Sequence, residues 1–169
     1  MGDAALRAIT GGLVATLVCA WGCGAGAVSH NRAQALDRLY QRSLDLAEEL
    51  TKTVGAGVAQ LNASGDAQSL DCLETLRDAA SETSDQLLDV RDVAALAAGL
   101  TLKADRRAGT AATRRSAAQA LSVLPAEARQ VSRTADLCRS QADVQQRAKA
   151  ELALIDDATA ALTQLTGGR

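Results

Sequence analysis

A chain of 169 residues with no phenylalanine, one tyrosine and one tryptophan has almost no bulky material for strands or a thick layered core. Strands draw on Val, Ile, Phe, Tyr and Trp, so a sandwich, barrel or doubly wound sheet is disfavoured on supply alone. What the chain has instead is alanine, 37 copies, together with Leu, Arg, Gln and Glu, the strong helix formers. The sequence therefore predicts an all-α protein. At 47% hydrophobic and 22% charged, the composition lies in the globular range.

From Ala8 to Val28 there are 21 residues without a charge, bounded by Arg7 on one side and by His30 and Arg32 on the other. That length suits a helix crossing about 30 Å of hydrocarbon. Three readings fit it. As a retained anchor, Gly22 and Gly26 form a small-xxx-small pair that lets two membrane helices pack closely. As a secretory signal, Ala25-Gly26-Ala27 offers a cleavage site. As a lipoprotein leader, Ala20-Trp21-Gly22-Cys23 resembles a lipobox and makes Cys23 the lipidated residue. Each of the three exports the rest of the chain, so the expected location is the cell envelope, with residues 1–30 as anchor or leader.

Beyond that segment the hydrophobic spacing predicts helices over about 31–62, 66–104 and 110–166, with 167–169 frayed. Leu36, Tyr40, Ala47, Leu50, Val54, Val58 and Leu61 stripe the first, and Asn62 to Asp66 is a turn cluster. Leu73, Leu76, Ala80, Thr83, Leu87, Val90, Ala94 and Ala97 alternate by three and four along the second, the pattern of a helix packing along one seam. Lys103 to Thr110, with Gly109 at a C′ position, reads as the next reversal, while Pro125 either kinks a continuing helix or marks a rival boundary. In the third segment Ala117, Leu121, Leu124, Ala128, Val131, Ala135, Cys138 and Ala142 share a stripe that continues, shifted, through Leu152, Ile155, Leu162 and Leu165. The expected architecture is a long-helix antiparallel three-helix bundle or coiled coil. Its seams are mostly alanine, so it buries little area per residue and gains from a cross-link, a tether or a partner.

Cys72 and Cys138 form one even pair outside the apolar segment, and in an oxidising compartment such a pair joins. A reversal near Asp105 pairs residue n with about 210 − n, which sets Cys72 opposite Cys138 and the acidic run 66–92 opposite Arg129, Arg133 and Arg139. A reversal at Pro125 would leave both cysteines to link two copies. Residues 1–100 carry a net charge of −6 and residues 101–169 a net charge of +4, which agrees with the fold-back.

Signals for catalysis are scarce. His30 is the only histidine, no metal-ligand spacing occurs, and Glu48-Glu49 and Asp156-Asp157 are adjacent on helices and point apart. Gly55 and Gly57 follow no strand and so make no phosphate loop. The expectation is a non-enzyme without cofactor, metal or small-molecule substrate. Arg106, Arg107, Arg114 and Arg115 are the one dense basic cluster, and in the fold-back they return toward a membrane, where anionic headgroups are the nearest partner. Nucleic acid is a poorer match, since no aromatic residue stands nearby for stacking.

The apolar stretch 8–28, the sequence Ser29-His30-Asn31-Arg32 after it, and the Ala/Gln/Arg-rich helices that begin at Ala33 together resemble the inner-membrane spanins, the Rz-like lysis proteins of tailed phages. The resemblance covers the chain as architecture and carries no specific motif. It implies a dimeric periplasmic helix that meets an outer-membrane lipoprotein and helps fuse the two membranes in host lysis. Its rival is an exported lipoprotein whose helical bundle binds a protein partner.

Overall fold

The computed structural model describes residues 28–64 and 67–167. The anchor residues Gly22 and Gly26 and the candidate lipidation site Cys23 lie outside them. Among the described residues the protein is all-helical, with α1 at His30–Ser64, α2 at Ala67–Gly99, α3 at Lys103–Leu137 and α4 at Ala142–Thr166. At 1.5 Å per residue the first three helices run about 50 Å and α4 somewhat less than 40 Å. None of these helices is long and apolar enough to cross a membrane.

Short connections fold each helix back on the one before it, giving an up-down-up-down bundle. Cross-bundle pairs fix the register: Asp37 of α1 meets Arg91 of α2, Cys72 of α2 meets Cys138 of α3, and Arg42 and Glu49 of α1 meet Asp157 and Arg147 of α4. α2 and α4 approach across the diagonal, whereas α1 and α3 stay apart. One end of the bundle, here the near end, therefore holds the start of α1, the α2–α3 connection and the close of α4. The far end holds the close of α1 and the α3–α4 turn. Gly167 closes α4 in the left-handed conformation that favours glycine, at φ 83°, with its N–H donated to the Thr163 carbonyl.

Every position of the α2 stripe expected from the sequence is buried. Leu36, Ala47, Leu50 and Val54 of α1 are buried as well, but Val58 is not, and Leu39 and Ser43 join the core instead. Ser43 tolerates full burial because its hydroxyl donates to the Tyr40 carbonyl of its own helix. The same device lets threonine line α3, where Thr110, Thr113 and Thr134 donate to the carbonyls of Arg106, Gly109 and Gln130.

Two expectations are corrected. The bundle has four helices rather than three, because the segment 110–166 is broken at Cys138–Gln141. Neither glycine nor proline marks that break. The chain turns there because the Cys138 disulfide holds the end of α3 on α2, and because the Gln145 side chain donates to the carbonyls of Ala135 and Cys138, which a helix end leaves without intrahelical partners. The shift in the hydrophobic stripe was its sequence signature: buried positions run to Cys138 and resume at Val144 in a new phase, leaving Ala142 exposed. Pro125 lies inside α3 without ending it.

The second correction concerns the reversal before α3. It occupies residues 100–102, and Lys103 to Thr110 form the first two turns of α3. Gly109 is there for clearance, not for a turn. A Cβ at that position would stand 2.9 Å from both the Ala97 Cβ and the Leu100 Cδ1, so glycine lets α3 lie closely on the end of α2.

Candidate functional site

Three features of the bundle carry chemistry beyond packing. The first is the Cys72–Cys138 disulfide between α2 and the end of α3, with Cα atoms 6.6 Å apart and a sequence separation of 66. The fold-back register thus brings the two cysteines together within one chain. The acidic face of α2 does not behave as the charge pattern predicted. Arg139, in the α3–α4 turn, pairs with Asp136 of α3, and the ion pairs that cross between described helices include Arg91–Asp37, Arg42–Asp157 and Arg147–Glu49, each of them involving α1. None of these is the expected pairing of Arg129, Arg133 or Arg139 with the acids of α2.

The second feature is Glu151, which is 0% exposed in the middle of α4. One carboxylate oxygen accepts a 2.8 Å hydrogen bond from the Thr83 hydroxyl of α2, and the other has no partner. Burial pushes its pKa up to about 7; the Thr83 hydrogen bond acts against that rise and the negative charge of Glu127 on α3 adds to it. Glu127 is itself raised, first by burial and then by Glu82 of α2. Partly exposed carboxylates of α2 and α3 thus lie at the level of the buried Glu151 of α4. With both Thr83 and Glu151 wholly enclosed, the group has no opening to a substrate, and its chemistry is that of a protonation-dependent core residue. Among the described residues no group of His, Cys, Asp and Glu is arranged to hold a metal ion.

Sequence reasoning missed Glu151, although a signal existed. Val144, Ala148, Glu151, Ile155, Ala158, Leu162 and Leu165 alternate by three and four, so a single acid interrupts an apolar stripe. Thr83 is the matching polar interruption in α2.

The third feature is the near end. Lys103 to Arg115 carries Lys103, Arg106, Arg107, Arg114 and Arg115 against the single acid Asp105, and all six side chains are exposed. His30 at the start of α1 is exposed at the same end and bonds the Gln34 side chain one turn on. Val28, the last residue of the uncharged stretch, is buried against the bundle there. Elsewhere, an open cleft of about 270 Å³ between α1 and α4 is lined by Arg42, Asp45, Leu46, Glu49, Ala150 and Leu154. Two of its three charged lining residues are already engaged, Arg42 by Asp157 and Glu49 by Arg147.

Comparison with protein-family models, with curated proteins and with solved structures finds no match to this chain.

Proposed function

We propose that the protein is an exported, membrane-tethered helical interaction protein. The observation that carries this reading is the position of Val28: the residue that closes the uncharged 21-residue stretch is packed into the same end of the bundle that presents the arginine cluster. A tether there sets the basic end toward the headgroups and the far end away from them. The Cys72–Cys138 disulfide supports the same compartment, since such bonds persist outside the reducing cytosol. A reporter active only beyond the inner membrane, fused after Arg169, should be active, and activity of a cytoplasmic reporter in its place would overturn the reading.

Within this class the spanin-like role in host lysis is the specific form offered by the sequence resemblance. The short-looped bundle and its intrachain disulfide favour a compact tethered domain over an extended, covalently linked dimer. The lipoprotein reading is favoured by Cys23, which stands five residues before Val28, so that a lipid on it would hold the same end at a membrane. The mass of the mature chain separates the two, as a start at Cys23 with added acyl mass or as a retained stretch 8–28. In both, a protein partner or a second copy meets the exposed helix faces.

A further inference from the structure

Polar surface is abundant on this bundle, yet two large apolar side chains stand exposed within about a turn of the α2–α3 connection: Leu96 at 74% and Leu102 at 66%. Leu102 also occupies the N-cap position of α3, where it provides no side-chain cap. Ser, Thr, Asp or Asn is the usual choice there, because its oxygen accepts from the first turn. The position thus gives up a cap and exposes a leucine. Lys103, Arg106 and Arg107 follow at once, exposed on the projecting first turns of α3.

We propose that this hairpin end is an interfacial foot that rests on an anionic bilayer, Leu96 and Leu102 entering the acyl boundary while Lys103, Arg106 and Arg107 contact lipid phosphates. The inference rests on the tethered reading above and deepens it. Its physical basis is the place of the tether. Val28 ends the uncharged stretch and is packed on the bundle with Ser29 alone between it and α1, so the stretch joins the bundle at the end that carries these residues. A surface pressed to an anionic leaflet gains from a leucine pair beside basic residues, the composition of interfacial segments. The far end offers the contrast: Val58 and Leu137 are exposed there too, but Asp71, Glu74, Asp136 and Asp143 outnumber Arg133 and Arg139 around them.

Hydrogen exchange of the full-length protein in bilayer nanodiscs tests the foot. The first amides of α3 have no intrahelical acceptor and exchange quickly when open to water. In nanodiscs containing phosphatidylglycerol, the segment Leu100–Arg107 should exchange roughly tenfold more slowly than in pure phosphatidylcholine or in detergent. The double substitution Leu96→Ser with Leu102→Ser, or Arg106→Gln with Arg107→Gln, should abolish that difference while leaving exchange in α4 unchanged. Equal exchange in all three settings, with the chain firmly inserted, overturns the foot and leaves the tether standing. A chain that fails to enter either bilayer overturns the tether itself. Protection that instead rises with protein concentration in detergent assigns the leucines to a second copy and overturns the foot.

Discussion

The two ends of the bundle are built by different means. At the far end the α3–α4 turn is held by covalent and side-chain devices: Cys138 is bonded to Cys72, and Gln145 satisfies the last carbonyls of α3. At the near end the α2–α3 seam is lined by small residues, Ala94 and Ala97 facing Thr110, Thr113 and Ala117, and the fit depends on a glycine. Small residues bring backbones close but bury little area, so this stretch of the α2–α3 seam gains less hydrophobic free energy per turn. On the tethered reading proposed above, a membrane would stabilise the near end from outside, whereas the far end carries its own cross-link.

Breaking the disulfide should produce the largest effect. Joining residues 66 apart removes loop entropy from the unfolded chain worth about 4 kcal/mol. Cys72→Ser, Cys138→Ser and reduction of the parent should each lower unfolding free energy by that order in denaturant titrations, with no further loss in the double variant. Exchange should quicken first around residues 130–145, and a loss spread evenly to the near end would erase the distinction between the ends.

Glu151 lies between them and makes stability depend on pH. Its pKa of about 7 in the fold against 4.5 unfolded means that unfolding releases a proton across that interval, so stability is greatest below pH 4.5 and falls as pH rises through 7. At 1.36 kcal/mol per unit the full change is about 3 kcal/mol. Glu151→Gln should remove most of this slope and be the more stable form at pH 8, as read from denaturation midpoints at a series of pH values. A parent midpoint that rises between pH 5 and 8 while Glu151→Gln stays flat would remove the buried-acid account.

Gly109→Ala probes the close approach at the near end. Alanine gains roughly 1 kcal/mol of helix propensity over glycine, but its Cβ would meet Ala97 and Leu100 at 2.9 Å, and overpacking costs about 1–3 kcal/mol. A net loss of about 1 kcal/mol is expected, with faster exchange confined to residues 94–115. A stabilised variant would show that the two helices separate without strain.

How much of this was legible follows from which force decided each feature. The α2 stripe was read in full because one periodic face meets the core along its whole length. The fold-back of Cys72 on Cys138 was readable from the cysteine register, whereas the charge pairing expected beside it is not among the ion pairs that form. The break at Cys138–Gln141 left only a phase shift in the stripe, too weak to mark a turn, since the turn depends on a tertiary bond and on the Gln145 side chain rather than on a local breaker such as glycine. Gly109 misled for the complementary reason, because glycine serves close packing as readily as it serves turns. Glu151 was passed over among twenty acids, although only its place in an apolar stripe sets it apart.

The smallest effect should come from the polar belt that joins α1 to its neighbours, where two ion pairs differ along the molecule. Toward the near end, Arg91 is partly buried, bonds Asp37 at 2.9 Å and lies 4.9 Å from the centre of the Tyr40 ring, so its stem and guanidinium both pack. Nearer the middle, Arg42 and Asp157 also meet at 2.9 Å, but both side chains are more than half exposed to water. Exposed pairs contribute about 0.2–1 kcal/mol and are screened by salt. Arg91→Ala should therefore cost about 1–2 kcal/mol and keep most of that loss in high salt, because the stacking on Tyr40 is lost with the charge. Asp157→Asn should cost about 0.5 kcal/mol in dilute buffer and almost nothing in high salt. Denaturant titrations of both variants at two ionic strengths decide it, and equal, salt-sensitive losses would place Arg91 among the ordinary surface pairs and remove the account of its stacking on Tyr40.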